Sequence, residues 1–194
     1  NHYPVVYIAA VHNSRLDKPE TKIGSMNECF RLNIPILPPN INRSDEFFCI
    51  DHETDTDNTD GQDEDAPRGP GLRIGLAAIK TVGEGAVRPI VADRKENGPY
   101  KSIDDFSRRA GASGLNRRTL ESLAKAGAFD CLASRGAVMA ALDQITATAQ
   151  REARTRDSGQ SSMFEGSEDV SDTAGMSGIT LTAPDVSDQD KAAW

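Results

Sequence analysis

The sequence predicts a mainly α fold, and three observations carry that prediction. Apolar residues recur at helical spacing in several separate stretches of the 194 residues. Two of these patterns run into glycine-bearing turns, at Gly83 and Gly85 and again at Gly127, so short helices are joined in pairs by tight corners. Only Phe47–Ile50 and Leu72–Leu76 read as strands, which makes a single small β-hairpin. The expectation is a tandem helix-hairpin-helix domain with a small β-hairpin, a disordered acidic loop and a C-terminal linker.

The elements follow in order. Tyr3 to Val11 reads as a helix, with Pro4 tolerated in its first turn and Val5, Ile8, Ala9 and Val11 as apolar contacts. Pro19 opens a second helix through Ile23, Met26, Cys29 and Phe30, which Asn33 suits to end in the left-handed conformation. Ile34 to Leu37 is a short extended run stopped by Pro38-Pro39, and 40–44 is a turn-rich connection. Between the strands, His52 to Gly71 carries almost nothing apolar and cannot offset its ordering entropy, which predicts a disordered insertion. That run reads either as a solvated loop or as a mimic of DNA phosphates.

Leu76, Ala77, Ile79 and Lys80 form the helical pattern entering the first turn, and Val87, Ile90 and Val91 the one leaving it. The second helix should reach about Lys95, with Pro89 still in its permissive first turn if it starts at Gly85. Ser102 and Asp105 resemble a capping pair for a helix to Ala110. Gly111 to Gly114 is a linker. Asn116 caps a helix through Lys125, with Leu115 and Leu120 as a staple and Gly127 at its end. Residues 126–130 would turn a second, weaker hairpin. Ser134 caps the longest helix, Arg135 to about Arg156, with Val138, Leu142, Ile145 and Ala149 inward.

Net charge is −8 and pI about 4.9, which looks wrong for a nucleic-acid binder until it is mapped. Asp45 to Pro67 holds ten acids and no base, whereas Arg68 to Asp130 holds twelve bases against seven acids. Basic charge is therefore concentrated around the hairpins, as a footprint for phosphates would be. Three separated cysteines and three histidines at no ligand spacing argue against a disulfide framework, a metal site or a catalytic triad. No apolar run approaches the ~20 residues that span a bilayer. Reduced thiols and the missing leader predict a cytoplasmic location, and the abrupt ends at Asn1 and Trp194 predict a fragment.

The first turn points to chemistry. A tight turn into a helix leaves backbone N–H groups outward, and their dipole favours an anion. Glycine is expected there for positive φ and for close approach of phosphate. The competing reading is an ordinary corner inside a core. Arg117 and Arg118 stand at a helix start, where their charge is unfavourable unless they face phosphate; ordinary surface charge is the alternative. In the tail, Gln160, Met163 and Phe164 read either as chance residues in a polar linker or as anchors of a docking peptide.

Several stretches together resemble the bacterial replicative DNA polymerase III alpha-subunit family. They are His2-Tyr3-Pro4, the run Cys29 to Asn42, Arg73 to Lys80 with Val82-Gly83-Glu84, Leu115 to Arg118 and Ala126 to Asp130. Gln160 to Phe164 is similar to the internal clamp-binding pentapeptide, Q-x-x-[ML]-F, and Ser187 to Trp194 to the approach to the next domain. The likeness covers most of the chain in the right order. It implies the end of the fingers at 1–44, a β-hairpin with acidic insertion at 45–76 and tandem hairpins at 77–132. A long helix at 133–159, a clamp peptide at 160–164 and a linker at 165–194 complete the expected division.

By the same resemblance the intact protein is a DNA-directed DNA polymerase, a nucleotidyltransferase using Mg2+ in DNA replication. Its metal-binding palm carboxylates are not in this sequence, so no catalytic residue and no cofactor are expected here. Sequence-independent duplex DNA is expected at Lys80, Val82, Gly83, Glu84, Gly85, Ala86, Arg88, Arg117 and Arg118. The sliding clamp is expected at Gln160, Met163 and Phe164, and other replicase subunits at absent regions. Thr81 departs from the family's Gly-Val-Gly, and would be strained if its position needs positive φ. A repair-protein hairpin module, an interaction scaffold without DNA, and a translesion relative of the polymerase are the rival readings.

Overall fold

The computed structural model describes residues 4–14, 19–52, 70–110, 115–157, 179 and 181. Helices α1 (Pro4–Ser14) and α2 (Pro19–Arg31) lead into strand β1 (Ile36–Leu37). Strands β2 (Cys49–Asp51) and β3 (Gly71–Arg73) flank the acidic insertion. A single 3-10 turn, Leu76–Ala78, precedes α3 (Glu84–Asn97), α4 (Ile103–Arg109) and α5 (Arg117–Lys125). Helices α6 (Arg135–Ala140) and α7 (Leu142–Asp157) close the described fold.

The expected class holds, with differences that have physical causes. The hairpin strands are shorter and displaced, and the run before Pro38 joins them as a third strand. The order is β1-β3-β2, with Ile36 opposite Leu72 in parallel and Ile50 opposite Leu72 antiparallel. The first hairpin's leading arm is not an α-helix. At Gly75 an added Cβ would lie 2.3 Å from the Phe47 backbone, and Leu76 and Ala77 donate their N–H groups to Asp45 and Glu46. Those ties hold the segment against its neighbour, so only one 3-10 turn forms before Ile79 extends.

Helix α3 begins at Glu84, which puts Pro89 beyond the first turn and removes the amide donor to the Gly85 carbonyl. The expected long helix breaks at Ala141 (φ −92°, ψ 2°), yet Val138, Leu142, Ile145 and Ala149 all remain buried. Phe30 turns outward and is 74% exposed, although its neighbour Cys29 is buried. The acidic loop from 53 to 69, the linker 111–114 and nearly all the tail after 157 lie outside the described residues.

The cap readings are met. Ser102, Asn116 and Ser134 each accept an amide from the first turn of the helix they precede. Asn33 (φ 53°) ends α2, and Ile34 donates back to Cys29. Gly127 (φ 82°) ends α5, with Gly127 N–H on Ala124 and Ala128 N–H on Leu123, the paired pattern of a Schellman cap. Leu115 and Leu120 are both buried.

Two cores result. Val5, Ile8 and Ala9 of α1 pack with Cys29, Ile34, Phe48 and Leu72, so α1 lies on the sheet and α2 joins this core through Cys29. Asn13 bonds both ways with the Phe48 backbone, Nδ2 to O at 2.9 Å and N–H to Oδ1 at 3.0 Å. The larger core joins both hairpins to α4 and α7. Its axis is a T-shaped chain of rings, Tyr100 to Phe106 at 5.1 Å and Phe106 to Phe129 at 4.9 Å. Arg109 lies 4.3 Å over the Tyr100 ring and pairs with Asp93 at 2.7 Å.

Partial burial alone would raise the Asp93 carboxyl, but hydrogen bonds from Asn97 and Arg109 outweigh it and hold it below its ordinary 3.8. A carboxyl depressed in the folded state gives stability above its unfolded pKa that is lost as pH falls through the folded one. Asp93→Asn should therefore be less stable than the parent at neutral pH, with the gap closing below about pH 4. Urea midpoints measured from pH 7 to pH 3 check this; a gap constant with pH would contradict it.

Candidate nucleic-acid interface

The first hairpin turn is built from Ile79 to Ala86. Val82 anchors it, with its side chain 5% exposed in the larger core and its N–H donated to Ile79 at 3.1 Å. The positive φ expected of glycine belongs instead to Thr81, at 71°, while Gly83 is extended at φ −87°. A β-branched residue in that region is strained by roughly 1–2 kcal/mol. Thr81 Oγ1 hydrogen-bonds Ser122 Oγ on α5, and so links the first turn to the second hairpin.

Gly83 caps α3, and its carbonyl receives both Ala86 N–H at 3.0 Å and Val87 N–H at 3.3 Å. Of the five backbone donors expected from Val82 to Ala86, two are therefore used inside the protein. The N–H groups of Gly83, Glu84 and Gly85 have no acceptor among the described residues. An added Cβ at Gly83 or Gly85 would meet nothing within 4 Å. Neither backbone conformation nor packing demands glycine at Gly83; what its absent side chain leaves is bare, outward backbone.

The second turn is different. At Gly127 an added Cβ would lie 2.3 Å from the Arg135 guanidinium, which pairs with Asp130 at 2.7 Å. This turn is covered by the protein's own ion pair, whereas the first is open.

The charged residues divide in the same way. Lys80 and Arg118 are exposed and form no ion pair with a carboxylate among the described residues; Glu121 feels the charge of Arg118 without touching it. Arg88 donates to Glu46 at 2.9 Å and to Glu84 at 3.0 Å, and the Glu46 hydrogen bond chiefly raises its pKa. Arg117 is held by Asp143 of α7 at 2.8 Å, which likewise raises it, with Glu121 at 3.6 Å. Its cation at the helix start thus answers a carboxylate of α7. Arg88 and Arg117 have ion pairs to lose; Lys80 and Arg118 do not.

Ser122 is the residue that sequence reasoning missed. It lies 41 positions from Thr81, and no local pattern signals the pair. Gln160, Met163 and Phe164 lie outside the described residues. No group of His, Cys, Asp and Glu among the described residues is arranged to hold a metal ion, and no described helix is long and apolar enough to cross a membrane.

The sequence pattern described as a helix-hairpin-helix motif matches residues 33–139, more than half of the 194. The chain belongs to the helix-hairpin-helix family. This helix-hairpin-helix chain is 37% identical over 164 residues to the DNA polymerase III subunit alpha of Xylella fastidiosa strain Temecula1, covering 84% of the chain and 12% of that relative. The same-named subunit of Escherichia coli K12 is 35% identical over 164 residues, covering 84% and 13%. That of Thermus aquaticus is 34% identical over 162 residues, covering 84% and 12%. The chain thus spans a small part, 12 to 13%, of these relatives. The likeness carried by the ordered motifs extends across most of the chain.

The Thr81–Ser122 pair makes a measurable prediction. Ser122→Ala should cost about 1 kcal/mol through the lost hydrogen bond. Thr81→Val loses the same bond and keeps the strained branch, while Thr81→Gly loses the bond and relieves the strain. Urea unfolding should place Thr81→Gly above Thr81→Val by about 1–2 kcal/mol. Equal stabilities would mean that the left-handed Thr81 is not strained.

Proposed function

We propose that the first hairpin holds duplex DNA through its backbone, without reading sequence, as a non-catalytic portion of a DNA polymerase III alpha subunit. The observation that carries this reading is the open turn. Three N–H groups without an acceptor among the described residues lie side by side on bare glycine backbone at the head of a 14-residue helix, with the exposed cation Lys80 just before them. Phosphate oxygens fit such donors, and contacts of this kind position a duplex rather than discriminate its bases. Gly83, Glu84 and Gly85 supply the amides, and Lys80 and Arg118 the long-range attraction. Arg88 and Arg117 join only by exchanging a carboxylate for phosphate. Val82 contributes as the buried anchor of the turn, and Ala86 as the first amide closed inside the helix.

The relatives' name supports a role in DNA replication, with the intact protein joining nucleotides as a DNA-directed DNA polymerase; a cytoplasmic location is part of the same proposal. Mg2+ belongs to that chemistry, but the described residues do not form a site for it, and no step is derived through it. The pentapeptide with Gln160, Met163 and Phe164 is proposed to dock on a sliding clamp, tethering the polymerase to its template. Other replicase subunits would meet regions beyond this chain.

Two tests follow. Gly83→Ala and Gly85→Ala place a methyl group in open space. Gly85→Ala, inside α3, should hold or raise stability by up to about 1 kcal/mol, and Gly83→Ala, at the N-cap, should cost no more than about 1 kcal/mol. Duplex DNA affinity, read by fluorescence anisotropy, should fall about tenfold, and parent binding should weaken steeply with salt. Unchanged affinity in both variants would remove the hairpin from the interface. Met163→Ala with Phe164→Ala should abolish binding to a bacterial sliding clamp and leave DNA binding intact. Loss of both activities together would show that the peptide and the hairpins are not separate modules.

A further inference from the structure

Nine arginines among the described residues each form an ion pair with a carboxylate. Arg118, Arg151 and Arg154 are exposed and form none among the described residues. In a chain with 30 acids against 22 bases, three guanidinium groups without an ion pair on two touching helices form a localised feature.

Their placement is ordered. Thr81 of the open turn touches Ser122, and Arg118 stands one helical turn before Ser122 on the same face of α5. Arg117, beside it, reaches Asp143 at the start of α7. Arg154 lies three turns beyond Asp143 along one line of α7, with Ala147 and Gln150 between, and Arg151 flanks that line. All four α7 positions named beyond Asp143 are exposed, opposite the buried Leu142, Ile145 and Ala149. A continuous band therefore runs from the open turn, across α5, and along the outer face of α7.

We propose that this band is a second nucleic-acid contact, in which Arg151 and Arg154 hold duplex phosphates beyond those at the hairpin. The proposal rests on the duplex-binding reading of the first turn and lengthens its footprint. From Asp143 to Arg154 the helix advances about 16 Å, at about 1.5 Å per residue. That is the rise of about five base pairs, so the extra contacts need a duplex longer than the hairpin alone would cover. The short side chain of Ala147 keeps the middle of the band low, ahead of the polar Gln150 and the two arginines. Guanidinium groups without an ion pair among the described residues lose none there on binding phosphate, which distinguishes them from Arg88 and Arg117.

The test uses the full chain and labelled duplexes of about one and about two helical turns. Arg151→Ala with Arg154→Ala should weaken the longer duplex about tenfold, lower the magnitude of its log–log salt slope by about 2, and leave the shorter duplex unchanged. Arg31→Ala with Arg108→Ala removes the same charge elsewhere and should change neither. A double variant that matches the parent on both duplexes overturns the proposal, including in the case where the band serves an acidic protein surface instead. Equal weakening on both duplexes, or equal weakening by the Arg31/Arg108 control, also overturns it, because either indicates net charge alone. Running Gly83→Ala alongside separates the two readings. Loss there with an unchanged Arg151/Arg154 variant removes only the α7 contact; loss in the Arg151/Arg154 variant alone removes the hairpin reading; no duplex binding by the parent removes both.

Discussion

The buried guanidinium of Arg94 is the contact on which the remaining architecture depends. Nη1 donates to the carbonyls of Ile41 at 2.9 Å and Ser44 at 2.8 Å, and Nη2 reaches Asp45 at 3.3 Å. Burial lowers its pKa, and a charge in that position must be matched by acceptors on every side. The 40–44 turn provides them because it is itself rigid. Asn40 Oδ1 accepts Asn42 N–H, and Ser44 Oγ accepts Asn40 N–H while donating to Ile74. From this turn Ile41 N–H bonds Ala128 in the second hairpin, and Asn42 bonds the Tyr100 backbone in both directions. One short loop thus holds α3, the sheet and the second turn in a common frame.

That frame makes the two hairpins unequal. The second turn uses its glycine for a helix cap and covers it with the Arg135–Asp130 pair. The first keeps its two glycines clear of every neighbour and gives the left-handed position to Thr81. Strain at Thr81 is offset by a hydroxyl contact to the other hairpin, so a threonine in a left-handed position has a structural partner. A bond that links the first turn to α5 also fixes the open backbone relative to Arg118 on the same helix.

Much of this was legible locally. Capping by Ser102, Asn116 and Ser134, and termination at Asn33 and Gly127, follow from side-chain oxygens and left-handed conformers that act within a few residues. The inward residues of the last helices survived the break at Ala141, because the period that buries them does not depend on one continuous helix. Contacts between distant segments were not legible. The approach of Gly75 to Phe47 shortened the first arm, and β1 found its partner 36 residues onward.

Chemistry between near neighbours in the chain suffices for the helical class, the two hairpins, their caps and the location of basic charge. Long-range packing alone settles which turn is open and which cations are already neutralised. An arginine or a glycine has the same local chemistry in both hairpins. Whether a carboxylate or a side chain lies against it is set by residues brought in from elsewhere, as Glu46 is for Arg88, Asp143 for Arg117 and Ser122 for Thr81.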